Sequence, residues 1–130
     1  MLTVTPSAHL VSTDTLARYF TAGASLVARS IRYPRVADMI LADRLTAERI
    51  VMLFSSSASK KWREDAAMIV LCGSMAEHSA SPQTWRSEPS ASLSRGLTGD
   101  AFAELSDAAT RFVHQHWFEI EALAAGAVAA

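Results

Sequence analysis

The amino-acid sequence predicts an α+β fold, mostly helical, with three main helices and a small two-stranded hairpin after the first helix. Three observations predict it. Leu16, Phe20, Gly23, Val27 and Ile31 recur at helical spacing. Two apolar runs of strand length follow, at residues 36–42 and 49–55, rich in Ile, Val, Met and Leu. Helical spacing then returns over residues 62–78 and again from Asp100 onward.

Each element has its own local signals. The first helix is predicted over residues 13–31. Ser12 or Thr13 can accept from the free N–H groups of its first turn, and Asp14 complements the positive end of the helix dipole. Pro34 ends it, because the residue before a proline avoids helical angles. The two strands are expected to join through residues 43–48. A rival reading makes residues 45–54 a helix, since Leu45-Thr46-Ala47-Glu48-Arg49 contains mostly good helix formers; apolar runs this short do not decide between the two.

The polar stretch 55–59 punctuates the chain. The helix predicted next carries Glu64 and Asp65 in its first turn. Residues 79–99 are rich in Ser and Pro and lack an apolar period, so a long mobile connection is expected there. The last helix starts near Asp100 and directs Phe102, Leu105, Ala109, Phe112, Val113, Trp117, Ile120 and Leu123 to its buried side. Its Ala-rich end is expected to fray.

A chain of 130 residues fits one domain, with no internal repeat. Half of it is apolar and only 19% is charged, which supports a sizeable core and argues against general disorder. The net charge of -1 argues against a general binder of nucleic acid or anionic membrane, which leans on surplus Lys and Arg. The one dense basic cluster, Lys60, Lys61 and Arg63, reads as a solvated helix start. The single cysteine, Cys72, stands in the apolar run Met68-Ile69-Val70-Leu71-Cys72 and is expected to be a buried small hydrophobe. No disulfide within the chain can form, which fits a reducing compartment. The first residues lack the pattern of a signal peptide, and no window offers the ~20 apolar residues that span a bilayer. A cytoplasmic location is therefore expected.

Three blocks, in order, carry a resemblance. The first is Phe20-Thr21-Ala22-Gly23-Ala24-Ser25-Leu26-Val27-Ala28-Arg29, followed by Tyr33-Pro34. The second is Leu71-Cys72-Gly73-Ser74-Met75-Ala76-Glu77. The third is Gly99-Asp100, then Ser106-Asp107-Ala108-Ala109-Thr110-Arg111-Phe112-Val113 and His116-Trp117-Phe118-Glu119-Ile120. Together they resemble the zinc-peptidase domain of the FtsH-type AAA proteases and its small stand-alone relatives. That family carries H-E-A-G-H in the first block, then an apolar helix, a Pro-containing turn and a strand. It has a glycine and an Ala-Glu pair in the second block, and an acidic third metal ligand before a long helix in the third.

The departures decide what the resemblance implies. In H-E-x-x-H the two histidines lie one turn apart and grip zinc together, while the glutamate activates the metal-bound water. Those positions here are Phe20, Thr21 and Ala24. Phenylalanine and alanine have no lone pair for a metal, and threonine is no base near neutral pH. The resemblance thus implies a degenerate scaffold with no cofactor and no bound metal. An inward Phe20 would gain about 1.5–3 kcal/mol by burial and would fill the space of the metal and its water.

Other constellations are weaker. Asp100 is the one plausible survivor of the implied ligand set, and a cap for the last helix, which needs no metal, is its favoured reading. Glu77 and His78, with Asp100 or His9, would form a relocated metal or acid–base site if the fold brought them together. His114 and His116, two positions apart, diverge on a helix. Trp117 reads as core, and Trp62 as a half-exposed lid. Trp85 beside Arg86 stands in the polar stretch, where it either pins that segment to the core or contacts a protein partner.

Three functions follow as expectations. The first is a non-catalytic protein-binding domain, of a kind that also fits a mobile-element or phage product blocking a host protein. The second is a hydrolase with a relocated site. The third is a helical subunit of a larger assembly, its apolar C-terminal helix covered by a partner.

Overall fold

The computed structural model describes residues 12–55, 61–81 and 99–129. Six helices are found there: α1 (Thr13–Ser30), α2 (Pro34–Asp43), α3 (Ala47–Ser55), α4 (Trp62–Ala80), α5 (Gly99–Gln115) and α6 (Trp117–Ala129). The described residues contain no strand. The expected hairpin, and with it the α+β class, is therefore corrected to an all-helical fold.

The start of the chain follows its sequence signals closely. Ser12 Oγ accepts the Thr15 N–H at 3.1 Å, capping α1 with Asp14 in its first turn. At the other end Tyr33 N–H donates to Ala28 at 2.8 Å and Arg32 N–H to Arg29 at 3.2 Å. Arg32 is left-handed there, with φ 75. This pair of bonds is a Schellman ending built without glycine.

Residues 36–42 and 49–55 are helical for reasons visible in their burial. Pro34 does not merely stop α1; it occupies the first turn of α2, where its missing N–H costs nothing. Ala37 and Ile40 are buried three apart on α2, and Ile50 and Phe54 four apart on α3. Between them lie exposed Asp38 and Met39, and exposed Met52, a helical and not an alternating pattern. Thr46 Oγ1 accepts the Arg49 N–H at 3.3 Å and caps α3. The rival helical reading of residues 45–54 was the better one.

α1 and α4 form the middle of the molecule. α2 and α6 pack on α1, while α3 and α5 pack on α4. Tyr33, just past the end of α1, donates to Asp65 in the first turn of α4, so the two middle helices run antiparallel. Their contact is close because each offers the other a glycine. A Cβ at Gly23 would lie 2.8 Å from the Cys72 carbonyl oxygen and 2.9 Å from Ala76 Cβ, and one at Gly73 would lie 2.7 Å from the Phe20 ring. The core runs from this seam to Ile69, Val113 and Ile120.

The expected last helix is two. His116 forms a turn between α5 and α6. α5 lies along α4, and α6 leaves it to lie along α1, where Trp117 stacks on Tyr19 with ring centres 5.6 Å apart. The break lets one chain segment cover two neighbours. His116 Nδ1 meets Glu119 Oε1 at 2.8 Å in the first turn of α6.

Candidate functional site

The positions that would correspond to H-E-x-x-H stand in the interior of the bundle. Phe20, Thr21 and Ala24 are 3%, 4% and 0% exposed. The Phe20 ring fills the space beside Gly73. Phe20 and Ala24, which have no lone pair for a metal, thus stand packed in the interior beside Thr21. Where the resemblance implied a strand after the Pro-containing turn, the chain forms α2.

Glu77, His78 and Asp100 are not brought together. Glu77 is 1% exposed in the last turns of α4 and has an interaction partner, as a buried carboxylate requires. His78 beside it is half-buried and also partnered. Asp100 is exposed in the first turn of α5, a favourable place for an acid. It lies inside the helix and not before it, so its role is with the dipole. The residue after it, Ala101, shares a surface groove with Glu64 at the opposite end of α4 from Glu77. Among the described residues no three His, Cys, Asp or Glu side chains gather where they could hold a metal ion.

Several lesser expectations fall in place. Cys72 is fully buried, with Sγ 4.0 Å from the Ala109 carbonyl, and burial pushes its thiol up to about 12. Trp62 is half-buried against the core, with the Arg63 guanidinium 4.9 Å from its ring centre. His114 is exposed and His116 half-buried. The first turns of α4 start from exposed Lys61 and Arg63. His9, Lys60, Trp85 and Arg86 lie outside the described residues. So does most of the expected connection 79–99; of its ends, Ser79 and Ala80 belong to α4, Ser81 caps it, and Gly99 opens α5.

Two surface features stand out beyond the residues expected from the sequence. On α6, Phe118 is 86% exposed. Ala122 and Ala125 are exposed four and seven positions further on, so they continue one outward stripe. Its inward side is Ile120, Leu123 and Ala124. Phe118 had a readable signal: it follows Trp117 directly and cannot share the face of Trp117 and Ile120. The second feature is a groove of about 570 Å³ between α2 and α3, lined by Met39, Asp43, Leu45, Arg49, Met52 and Leu53. Met52 is 68% exposed at its edge.

The chain has no match among protein-family models, curated proteins or solved structures. No helix among the described residues is long and apolar enough to cross a membrane.

Proposed function

We propose that this chain is a non-catalytic protein-binding domain in which α6 meets the partner. The observation that carries the reading is Phe118. A large aromatic side chain left 86% exposed, in line with Ala122 and Ala125, gives α6 an apolar outer side as well as an apolar inner one. An apolar stripe on the outer side of a helix, here flanked by Glu119 and Glu121, is a surface a partner can cover, and exposed aromatic residues are enriched where partners bind. The partner suited to this side offers a pocket for the Phe118 ring and a small-residue ridge for the two alanines. A basic group on it would face Glu121, which is exposed; Glu119 is already engaged by His116.

The chemistry at Phe20, Thr21 and Ala24 supports the non-catalytic half of the proposal, since Phe20 and Ala24 have no lone pair for zinc and Thr21 is no base near neutral pH. Kinship with the FtsH-type peptidase domain remains part of the proposal, resting on the three sequence blocks. Trp85 and Arg86 are proposed as further partner contacts. An inhibitor of a host protein is one role within this reading.

The test is affinity capture with the intact chain and with three variants. Phe118→Ser is expected to abolish capture of a partner that the wild type retains, Trp85→Ala/Arg86→Ala to weaken it, and Met52→Ser to leave it intact. Equal capture by wild type and Phe118→Ser would remove α6 from the proposal. The hydrolase alternative with Glu77, His78 and Asp100 is checked separately by thermal unfolding. A midpoint that rises with zinc and falls with chelator would overturn the non-catalytic reading.

A further inference from the structure

We infer that the groove between α2 and α3 is the contact face for a second copy of this chain, joined about a two-fold axis. The groove carries Met39 and Asp43 from α2, Arg49 and Met52 from α3, and a floor of Leu45 and Leu53. Met39 and Met52 are two of the large hydrophobic side chains left exposed among the described residues. Unbranched and polarizable, they adapt to an irregular facing surface.

The charges at the rim select the occupant. Of the charged groups near this corner, Arg35 and Glu48 are exposed without an ion pair among the described residues but do not line the groove, and others are engaged. Asp38 pairs with Arg29 at 3.0 Å, and Arg44 with Asp14 at 3.1 Å, while Asp14 also holds Arg18 at 2.7 Å. Asp43 and Arg49 form no ion pair with any described residue, and they are one acid and one base on the same groove. A two-fold contact places the same patch on both sides, so residue i meets j while j meets i. Asp43 of one copy then faces Arg49 of the other, twice over, with the methionines between them. A basic or an acidic foreign surface would satisfy only one of the two charges and oppose the other. Self-complementarity of this kind is the property that favours a second copy over an unrelated partner.

Charge reversal tests the pairing without disturbing the core, because both side chains are exposed. Sedimentation equilibrium of the intact wild-type chain is expected to show a reversible monomer–dimer equilibrium. Asp43→Arg alone and Arg49→Asp alone are each expected to weaken it by about tenfold or more, since like charges then face one another. Mixing the two single variants restores association, because every Asp then meets an Arg across the axis. The double variant Asp43→Arg/Arg49→Asp restores it as well. Helical circular dichroism and cooperative thermal unfolding of each single variant would establish that the variants remain folded. A wild type that stays monomeric at every concentration would overturn the inference. So would a dimer indifferent to both reversals, or one abolished by Phe118→Ser and not by them, which would assign self-association to α6.

Discussion

α4 and α6 are both apolar helices without a clear polar side, yet the fold treats them differently. α4 has consecutive buried residues from Ile69 to Ser74, because α1, α3 and α5 surround it. α6 has similar chemistry but lies chiefly on α1, with Phe118, Ala122 and Ala125 in solvent. The same absence of amphipathic period therefore means a central strut in one helix and an uncovered outer side in the other. What differs is the number of neighbours, and that is a property of the fold and not of the segment.

The comparison breaks first at its centre. Phe20→Ala removes the ring that fills the seam against Gly73, and a loss of about 3–5 kcal/mol is expected in denaturant unfolding. A loss under about 1 kcal/mol would mean that the seam collapses to fill the gap.

One chemical change, made in two helices, sharpens the contrast further. Gly23→Ala places a Cβ 2.8 Å from a backbone oxygen of α4, an atom that moves only with its helix. A loss of about 1–3 kcal/mol is expected. Gly126→Ala meets nothing within 4 Å and should gain up to about 1 kcal/mol from helix propensity. Changes of the same sign at both sites would contradict the assigned packing.

At the edge of the seam, Tyr33 donates to Asp65, and that bond, with burial, raises its hydroxyl to about 12 from the ordinary 10.0. The folded state thus holds this proton more tightly than the unfolded chain. Its contribution is complete below pH 10.0 and is lost as pH rises towards about 12. Tyr33→Phe is expected to cost about 1 kcal/mol near neutral pH and to lessen the alkaline loss. Cys72, raised from 9.0 to about 12, keeps an alkaline loss of its own in the variant. Identical alkaline melting of wild type and Tyr33→Phe would remove the bond from the account.

The smallest effect is expected at α6. Phe118→Ser should change stability by no more than about 0.5 kcal/mol, since the ring touches little. A larger loss would mean that Phe118 is already covered within the chain.

Much of this architecture was legible where a residue acts through its own backbone or a fixed spacing. Ser12 capped α1, Pro34 bounded it, and Leu16, Phe20, Gly23 and Val27 turned inward together. Residues 36–42 and 49–55 misled because Val, Ile and Met in runs this short suit a strand as well as a helix. The spacing of Ala37 to Ile40 and of Ile50 to Phe54 carried the answer, but only once a neighbour was there to bury them. The break at His116 was not legible. No proline or glycine marks it, and the bonds from His116 to Phe112 and from Ile120 to His116 continue on either side. Of the candidate sites, the inward character of Phe20 was readable from its stripe. The groove at Met39 and Met52 was not, since it depends on how α2 and α3 meet.

The seam between α1 and α4 also sets how late α1 can be buried as the protein is made. Gly23 and Cys72 belong to helices separated in the chain by two others, and α6, which finishes covering α1, is the last helix described. Helical proteins usually fold fast because their contacts are local. Here α1 waits for α4 and α6, which follow it in the chain, before its apolar stripe is shut away. During synthesis α1 thus stays open to wrong partners until α4 and α6 have emerged.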